Sequence, residues 1–386
     1  MRRGSILVIV MVTLLFAVAA LVAFLDRAGT DLLVESRVAV ADRLRADAYS
    51  ALEVTLAVLE DFRQADNGLH SSSEGWGDPL GWAGWAPDDG TTVEVSFQDE
   101  SAKIPLIHAS ATILADVFQV WQMSQSDAQH LADVLLSWMQ QNYIPSGGLT
   151  PDYEQSAIPF DPPLRPLRSC GELAAIDYAK DVFYDEHGQP NERWWRFRDD
   201  FSLFNFPRPN INGANSDILA GLGQFSDNAQ QNISNYMNGT GTAAVVSPLG
   251  KQWFNSSSDL TGVVGAEGNA QNFGTTVSAL RITLTVRDKA QRYRLCIVVA
   301  PQGGATTVQT TATDVKKGAS SSTSGQTSTN LGLGNTTTQS NSTATNAQTA
   351  AASTANANLQ YPFTILEIRE NDEILTPPPP SPPPHA

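Results

Sequence analysis

An uninterrupted apolar stretch dominates the beginning of the chain. No charged residue occurs from Ser5 to Leu25, whereas a pair of arginines precedes this stretch and Asp26 follows it. At a rise of 1.5 Å per residue, about 20 helical residues span the ~30 Å hydrocarbon core of a bilayer. The pattern predicts a transmembrane helix over 5–25, with the arginines on the cytoplasmic side and the rest of the chain on the other side.

The polar region that follows keeps a helical period. Apolar residues recur at steps of three or four, at Leu44, Ala48, Leu52, Leu56 and Leu59. This spacing places one apolar stripe on a helix. We therefore predict a single helix from about residue 6 to about residue 64, which ends at Asn67-Gly68. Its second part is amphipathic, and its stripe is expected to pack on a sheet of the same chain.

Alternating apolar and polar positions predict four β-strands, at 91–97, 279–287, 292–300 and 361–369. The second and third strands are separated by a short hairpin turn, 288–291. All four strands can join one sheet. Such a sheet needs a cover for its apolar face, which the amphipathic part of the N-terminal helix can supply.

The chain between the first two strands is predominantly helical in pattern. Helices are predicted at 111–122 and 127–141, with Ser126 placed to cap the second. Another helix begins after Ser169, where Glu172 has the spacing of a capping box. Three tryptophans in the loop 68–90 either form a binding surface or cover the edge of the core, and the second is the commoner arrangement; they are Trp76, Trp82 and Trp85.

These elements divide the chain into parts. The predicted division is an N-terminal helix at 5–64, a sheet body at 65–104 and 276–370, an inserted helical domain at 105–275 and a proline-rich tail at 371–386. Within the body, residues 302–359 are almost wholly Gly, Ser, Thr, Ala, Asn and Gln. That composition buries too little apolar surface to offset the entropy of ordering, so this insert is predicted to be flexible.

The charge and the motifs narrow the function. A formal net charge of −16 argues against nonspecific binding of nucleic acid. The basic and aromatic residues at 191–201 are interpreted as a helix end balanced by Glu192, Asp199 and Asp200, in preference to a nucleic-acid site. Cys170 and Cys296 either form a disulfide, if the body is extracytoplasmic, or remain buried thiols. The sequence has no HExxH, GxSxG, P-loop or GxGxxG motif, so no catalytic residue is predicted and an enzyme is not supported.

The short basic leader is informative. A secretory signal peptide would have an apolar region of about 7–15 residues followed by a small-residue cleavage site, and this stretch is longer. A plain N-terminal anchor is the second alternative. Third, the leader ending in Gly4, followed by Ser5 and an immediate apolar run, resembles the processing site of type IV prepilins and pseudopilins. Most members carry glutamate at the fifth mature position, where this chain has Ile9.

The order of segments in the body resembles the K-type minor pseudopilin of bacterial type II secretion (general secretion pathway protein K). This subtype also lacks the glutamate that Ile9 replaces. VEVSFQDESAKIPLI (Val93–Ile107) is similar to a family strand that ends in Asp-Glu-x-Gly-Lys-x-x-Leu, with Ala102 in place of glycine. Further similar segments follow in the family's order, over about residues 1–300: Leu131–Glu154, Pro163–Leu173 and the Ile-Asn-x-Ala element within Arg208–Met237.

The resemblance implies an α+β pseudopilin fold, with a long N-terminal helix packed on a small antiparallel sheet and a large all-α domain inserted after the first strand. It implies that prepilin peptidase removes residues 1–4 between Gly4 and Ser5, and that Ser5 becomes a methylated N-terminus. The protein would then be held in the bacterial inner membrane with its body in the periplasm. The implied partners are the I-type and J-type minor pseudopilins and the major pseudopilin.

Two further expectations concern ligands. Members of this family resemble calcium-dependent periplasmic proteins, and Asp152 and Glu154 offer oxygen ligands in a long loop; a solvated acidic loop is the alternative, and no cofactor is certain. Arg208–Met237 also resembles a helix-hairpin-helix, with a faint echo at Ile107–Gln129. The hairpin has no basic residue from 211 to 237. We therefore predict its shape without a DNA-binding function.

The resemblance predicts a subunit at the tip of the type II secretion pseudopilus, which initiates assembly and supports export of folded periplasmic proteins. Two alternatives remain from other classes. One is a single-pass anchored periplasmic hydrolase or binding protein. The other is an anchored DNA-uptake protein that uses the hairpin.

Overall fold

The computed structural model of the chain describes residues 4–87, 90–147, 153, 159–240, 252–289, 291–308 and 362–374, and only the backbone of residues 4–8 and 372. The α-helices are α1 (Gly4–Asp66), α2 (Pro79–Ala83), α3 (Ala111–Val120), α4 (Gln125–Met139), α5 (Ala179–Phe183), α6 (Glu192–Asp200), α7 (Ser216–Gly221), α8 (Asp227–Met237) and α9 (Ser257–Val264). The strands are β1 (Thr91–Asp99), β2 (Ile104–Pro105), β3 (Phe201–Ser202), β4 (Leu280–Asp288), β5 (Gln291–Pro301) and β6 (Phe363–Glu370).

The four long strands form one antiparallel sheet in the order β1-β4-β5-β6. In its register, Phe97 lies opposite Ile282, which lies opposite Ile297. These are the four strands that the alternating pattern predicts. The β4–β5 hairpin turn includes Lys289 in the left-handed region, and Ala290 lies outside the described residues.

The second half of α1 covers one face of this sheet. Its apolar stripe is buried against side chains from β4 and β5, and these residues share one core: Leu44, Ala48, Leu52, Leu56, Leu59, Ile282, Leu284, Leu295, Ile297 and Val299. The stripe that the sequence predicts on this helix is thus the face that packs. Burying apolar area of this kind is the main favourable contribution to such an attachment.

The chain leaves the sheet at the end of β1 and returns to it at β4, and the helices between them have a separate core. This core includes Phe118, Leu131, Phe197, Ile218 and Phe273. The predicted α+β class is therefore confirmed: a long N-terminal helix on a small antiparallel sheet, with a large helical domain inserted after the first strand. The numerical boundaries of the predicted division stay predictions.

The inserted domain contains two similar helical hairpins, α3–α4 and α7–α8. Each has a polar cap before both helices, namely Ser110 and Ser124 in the first hairpin and Asn215 and Ser226 in the second. Each turn also holds a glutamine in the left-handed region, Gln122 and Gln224. The hairpin shape expected from the sequence is therefore present. Helices α3 and α7 are in close contact, since a Cβ on Gly221 would lie only 2.6 Å from Cγ2 of Val117.

Two predicted caps differ in detail. The second helix of the first hairpin is capped by Ser124 and not by Ser126, because Ser124 accepts a hydrogen bond from the Asp127 amide at 3.1 Å. Ser169 does cap the next element by accepting from the Gly171 amide, but this element is a 3-10 helix. Glu172 there accepts from the Arg168 amide, so the reciprocal bond of a capping box is not made to Ser169.

The attachment of α1 to the sheet can be tested with a matched pair of leucines on the same helix. Leu56 is 1% exposed, and Leu33 is 64% exposed. Leu56→Ala should lower the free energy of unfolding by about 2–5 kcal/mol, because it leaves a cavity between helix and sheet. Leu33→Ala should change it by less than about 0.5 kcal/mol. Denaturant titration of the full chain in detergent micelles, followed by tryptophan fluorescence, measures both; equal losses would contradict this packing.

Candidate functional site

The first half of α1 is an exposed apolar stem. Over the described part of the chain, α1 is long and apolar enough to cross a membrane, and none of its most apolar window is buried. Ile9, at the predicted fifth mature position, is 61% exposed. Exposed apolar side chains continue beyond the predicted membrane span, at Leu32, Leu33, Val34 and Val38. The stem therefore presents an apolar surface that no other described part of this chain covers.

Polar contacts hold α1 on the sheet where the stem ends. The carboxylate of Glu370, at the end of β6, accepts hydrogen bonds from Arg45 at 2.9 Å and from Tyr49 at 2.8 Å. Arg43 forms an ion pair with Asp288 at the end of β4. Desolvation opposes ionisation of Glu370, but the donors from Tyr49 and Arg45 prevail and hold its pKa below the ordinary value. These contacts fix the direction in which the stem leaves the body.

A buried charge cluster joins the sheet to the inserted domain. Glu100, which is 3% exposed, accepts hydrogen bonds from Lys103 at 3.0 Å and from Arg281 of β4 at 3.1 Å. Lys103 also donates to the carbonyl of Arg198 at the end of α6, and Arg281 donates to Glu367 of β6. Burial acts to raise the pKa of Glu100, but its two cations outweigh it, and the pKa lies below the ordinary value.

Asp99, the preceding residue, makes a second contact between the end of β1 and the inserted domain. Its carboxylate accepts from the Ser101 amide at 2.9 Å and from Asn210 Nδ2 at 2.7 Å. Burial raises the pKa of Asp99 to about 7, although its hydrogen-bond donors oppose the shift. A Cβ on Gly213 would lie 2.8 Å from that of Ala102, so the two segments are in tight contact. Asn212 extends the connection by donating to the carbonyls of Phe254 and Thr275.

The family-like motifs at 93–107 and 208–237 therefore meet in space. Their polar residues bind each other and also contact β4 and β6. They thereby connect the two halves of the molecule, which are the sheet with α1 and the inserted helical domain. In this structure the motif residues serve as a structural joint. Sequence reasoning identified the motifs but missed Arg281 and Asn210 as the partners, because no local pattern signals a contact across about 100–180 positions of sequence.

A cleft lies beside the charge cluster, on the face of the sheet opposite α1. It has a volume of about 410 Å³ and is bounded by β4, β5, β6 and the inserted domain. Apolar side chains such as Trp194, Phe204 and Leu366 line it together with charged ones. Five cations and two carboxylates belong to this lining, so the cleft is locally basic within an acidic protein: Lys103, Arg168, Arg198, Arg281 and Arg369, with Glu100 and Glu367.

Both cysteines line the same cleft, and both are free thiols. Of the two predicted alternatives, the structure has the unbonded one. Burial raises the pKa of Cys170 to about 11, which keeps it protonated and weakly nucleophilic. Cys296 accepts a hydrogen bond from Thr283 across the β4–β5 pair.

The predicted cleavage site and the predicted calcium ligands lie at or beyond the limits of the described residues. The backbone of Gly4 and Ser5 begins α1, but nothing of the Ser5 side chain is described. Asp152 and Glu154 lie outside the described residues, so the calcium expectation stays a prediction. Within the described ranges, no group of three or more His, Cys, Asp or Glu side chains is arranged to hold a metal ion.

Two of the loop tryptophans and the aromatic stretch 191–201 have defined surroundings in the structure. Trp76 is buried edge-on against Phe97, as expected of a core edge, while Trp82 is 66% exposed. The basic and aromatic stretch 191–201 forms α6, whose Arg196 pairs with Asp217 of α7. The acidic partner of Arg196 thus comes from α7, whereas Asp200, one of the expected partners, accepts hydrogen bonds from Trp121 and Asn215.

Stability should depend on pH through Asp99. Its folded pKa of about 7 exceeds the unfolded value of about 3.9, so its contribution is greatest below pH 4 and is lost as the pH rises to 7. Asp200 behaves alike, since burial raises its pKa to about 7 despite donors from Asn215 and Trp121. Asp99→Asn should flatten this slope, because an amide does not ionise. Denaturant titrations from pH 4 to 8 measure the slope; an unchanged slope in both Asp99→Asn and Asp200→Asn would contradict these assignments.

Because Lys103 belongs to the buried cluster and Lys180 does not, replacing each by methionine should lower the free energy of unfolding by different amounts. Lys103→Met should lower the free energy of unfolding by about 3 kcal/mol, because it leaves Glu100 buried with fewer partners. Lys180 forms an exposed pair with Asp177 at the same N–O distance of 3.0 Å, and Lys180→Met should cost less than about 1 kcal/mol. Adding Glu100→Gln to Lys103→Met should recover part of the loss. Equal costs for the two lysines in chemical denaturation would refute the cluster's role.

Comparisons with known proteins return little at the level of sequence. No family model matches the chain. No curated protein matches it. Among solved structures, the chain is similar to a chain in the crystal structure of the GspK-GspI-GspJ complex from the enterotoxigenic Escherichia coli type 2 secretion system. That similarity has a TM-score of 0.49 and 13% identity, and it covers 69% of this chain and 93% of the other.

Proposed function

We propose that this chain is a K-type minor pseudopilin of type II secretion. One observation carries the proposal: α1 is a single helix whose first half exposes an apolar surface and whose second half is buried on an antiparallel sheet. A helix built in this way suits a subunit whose stem lies in a membrane and then among the stems of other subunits. The ordered motifs over residues 1–300 support the same assignment.

The proposal includes processing at the leader. Prepilin peptidase cleaves between Gly4 and Ser5, so that Ser5 becomes the methylated N-terminus and the apolar stem remains on the mature protein. The N-terminus lies on the cytoplasmic side of the inner membrane, and the body lies in the periplasm. A bare arginine pair in front of the span is the usual sign of that orientation.

The proposed position is the tip of the pseudopilus. A carboxylate in an apolar surrounding persists only beside a partner, and in this family the glutamate at the fifth mature position is thought to neutralise the amine of a neighbouring subunit. With Ile9 there, the chain has no such carboxylate to offer a subunit above it. The inserted domain adds bulk beside the sheet, which also suits the end of a fibre. At the tip it would bind the I-type and J-type minor pseudopilins, start assembly on the major pseudopilin and support export of folded periplasmic proteins.

Replacement of Gly4 tests the processing step. Gly4→Leu should leave the leader on the protein and stop secretion, because in the family that this leader resembles the peptidase cuts after the glycine. Gly29→Leu is the matched control, since Gly29 lies on the same helix and a Cβ there would have no neighbouring atom within 4 Å. N-terminal sequencing of the membrane form should find Ser5 first in the wild type and in Gly29→Leu.

Two results would overturn the assignment. Secretion that is unaffected by Gly4→Leu would remove the prepilin interpretation, and an uncleaved wild-type N-terminus would favour an anchored periplasmic hydrolase or binding protein. Salt-sensitive DNA binding by the full chain in micelles would favour the DNA-uptake alternative. Immunogold labelling of pseudopili tests the position, since label along the whole fibre would contradict a tip subunit.

A further inference from the structure

The edge strand β6 is unlike the edge at the other end of the sheet. On β1, the most exposed side chains are polar, at Thr92, Glu94, Ser96 and Gln98. On β6, Ile365 and Ile368 are 46% and 44% exposed. Within the described residues, β6 pairs only with β5. None of the described residues therefore pairs with its outer main-chain groups, which can receive another strand.

The two isoleucines lie on the face of the sheet that α1 covers. Ile365 is opposite Val299 and Ile368 is opposite Ile297, and directly paired residues point to the same face. Val299 and Ile297 belong to the core under α1, so the isoleucines extend that core to the open edge. They form a half-exposed apolar patch beside Glu370, the β6 residue that α1 binds through Arg45 and Tyr49.

The opposite face of the same strand lines the basic cleft. Glu367 and Arg369 pair with Val298 and Cys296, whose side chains point away from α1. Both residues line the cleft together with Arg168 from the inserted domain. Cations outnumber carboxylates there by five to two, whereas the whole chain carries a net charge of −16. Charge complementarity therefore selects an acidic occupant for the cleft.

We propose that β6 receives an extended segment of a partner protein in which apolar and acidic residues alternate. Successive side chains of a strand point to opposite faces. A strand added to β6 would place its apolar residues beside Ile365 and Ile368 and its acidic residues in the basic cleft. Main-chain pairing supplies affinity in this mode of recognition, and alternate side chains supply specificity. A small molecule in the cleft would not reach the isoleucines, because they lie on the other side of the sheet.

This proposal goes beyond the pseudopilin assignment and does not depend on cleavage at Gly4. The probe is a fluorescein-labelled octapeptide of alternating valine and glutamate, titrated with the full chain in detergent micelles. Saturable binding is expected by fluorescence anisotropy. The same peptide with lysine in place of glutamate should not bind. Two N-methylated peptides, each blocking every second amide, separate the two sets of amides. The peptide whose blocked amides face β6 should not bind, and the other should bind as before.

Variants with matched controls locate the site. Ile365→Glu and Ile368→Glu should each weaken binding by about fivefold or more, through lost apolar contact and like-charge repulsion. Ile144→Glu is the control, since Ile144 is 86% exposed elsewhere. Arg168→Ala should weaken binding by roughly three- to fivefold, and Arg193→Ala, an exposed arginine outside the cleft lining, should not.

Four outcomes would overturn the proposal. The first is the absence of saturable binding, and the second is equal binding of the glutamate and lysine peptides. The third is retained binding by both of the N-methylated peptides, which would mean that the peptide does not pair with the edge of β6. Displacement of the peptide by dodecanoate, without any effect of the isoleucine variants, would identify the cleft as a site for small amphiphiles instead.

Discussion

The ionised carboxylate of Glu100 is the constraint on which the arrangement of the two halves depends. A charge with almost no access to water is tolerated only when cations and hydrogen-bond donors surround it. Here the donors come from the turn after β1, from β4 and, through Ser202, from the strand pair that begins the inserted domain. Moving the inserted domain relative to the sheet would separate these partners. The charge therefore favours one orientation of the two halves.

That fixed orientation has consequences for the rest of the molecule. Helix α1 occupies one face of the sheet, and the inserted domain bounds the cleft on the opposite face. The stem leaves the body along a direction set by Arg45 and Glu370. Helix α1, which continues the exposed apolar stem, is thus separated from the cleft by the thickness of the sheet. Contacts made by the exposed stem would therefore leave the cleft on the opposite face accessible.

The cleft shows how local charge can differ from total charge. The protein as a whole is strongly acidic, which opposes binding of nucleic acid. The same cations that neutralise Glu100 and Glu367 exceed them in number around the cleft, so the joint between the halves leaves a basic surface beside it. The edge strand β6 connects this surface to the exposed isoleucines. Residues that hold the joint together therefore also line the proposed binding surface. Arg281 is one of them, since it binds Glu100 and lines the cleft.

Patterns along the chain were sufficient to predict the elements whose signals are local. The apolar stretch and its amphipathic continuation predicted α1 nearly to its ends, and alternation predicted all four long strands, because each pattern reports the environment of one segment. These patterns also placed the inserted domain after β1. Local inference failed where two neighbouring residues compete for one role, as with Ser124 and Ser126, since only the hydrogen bond that forms decides between them.

The joint, the cleft and the open edge instead depend on contacts between segments that are far apart in the chain. Asp99 and Asn210 are 111 positions apart, and Glu100 and Arg281 are 181 positions apart, yet each pair is in direct contact. The raised pKa of Asp99 and the basic lining of the cleft arise from burial and from partners brought together by the fold. No pattern along the chain encodes such contacts, because desolvation and Coulomb interaction depend on distance in space and not on separation in sequence.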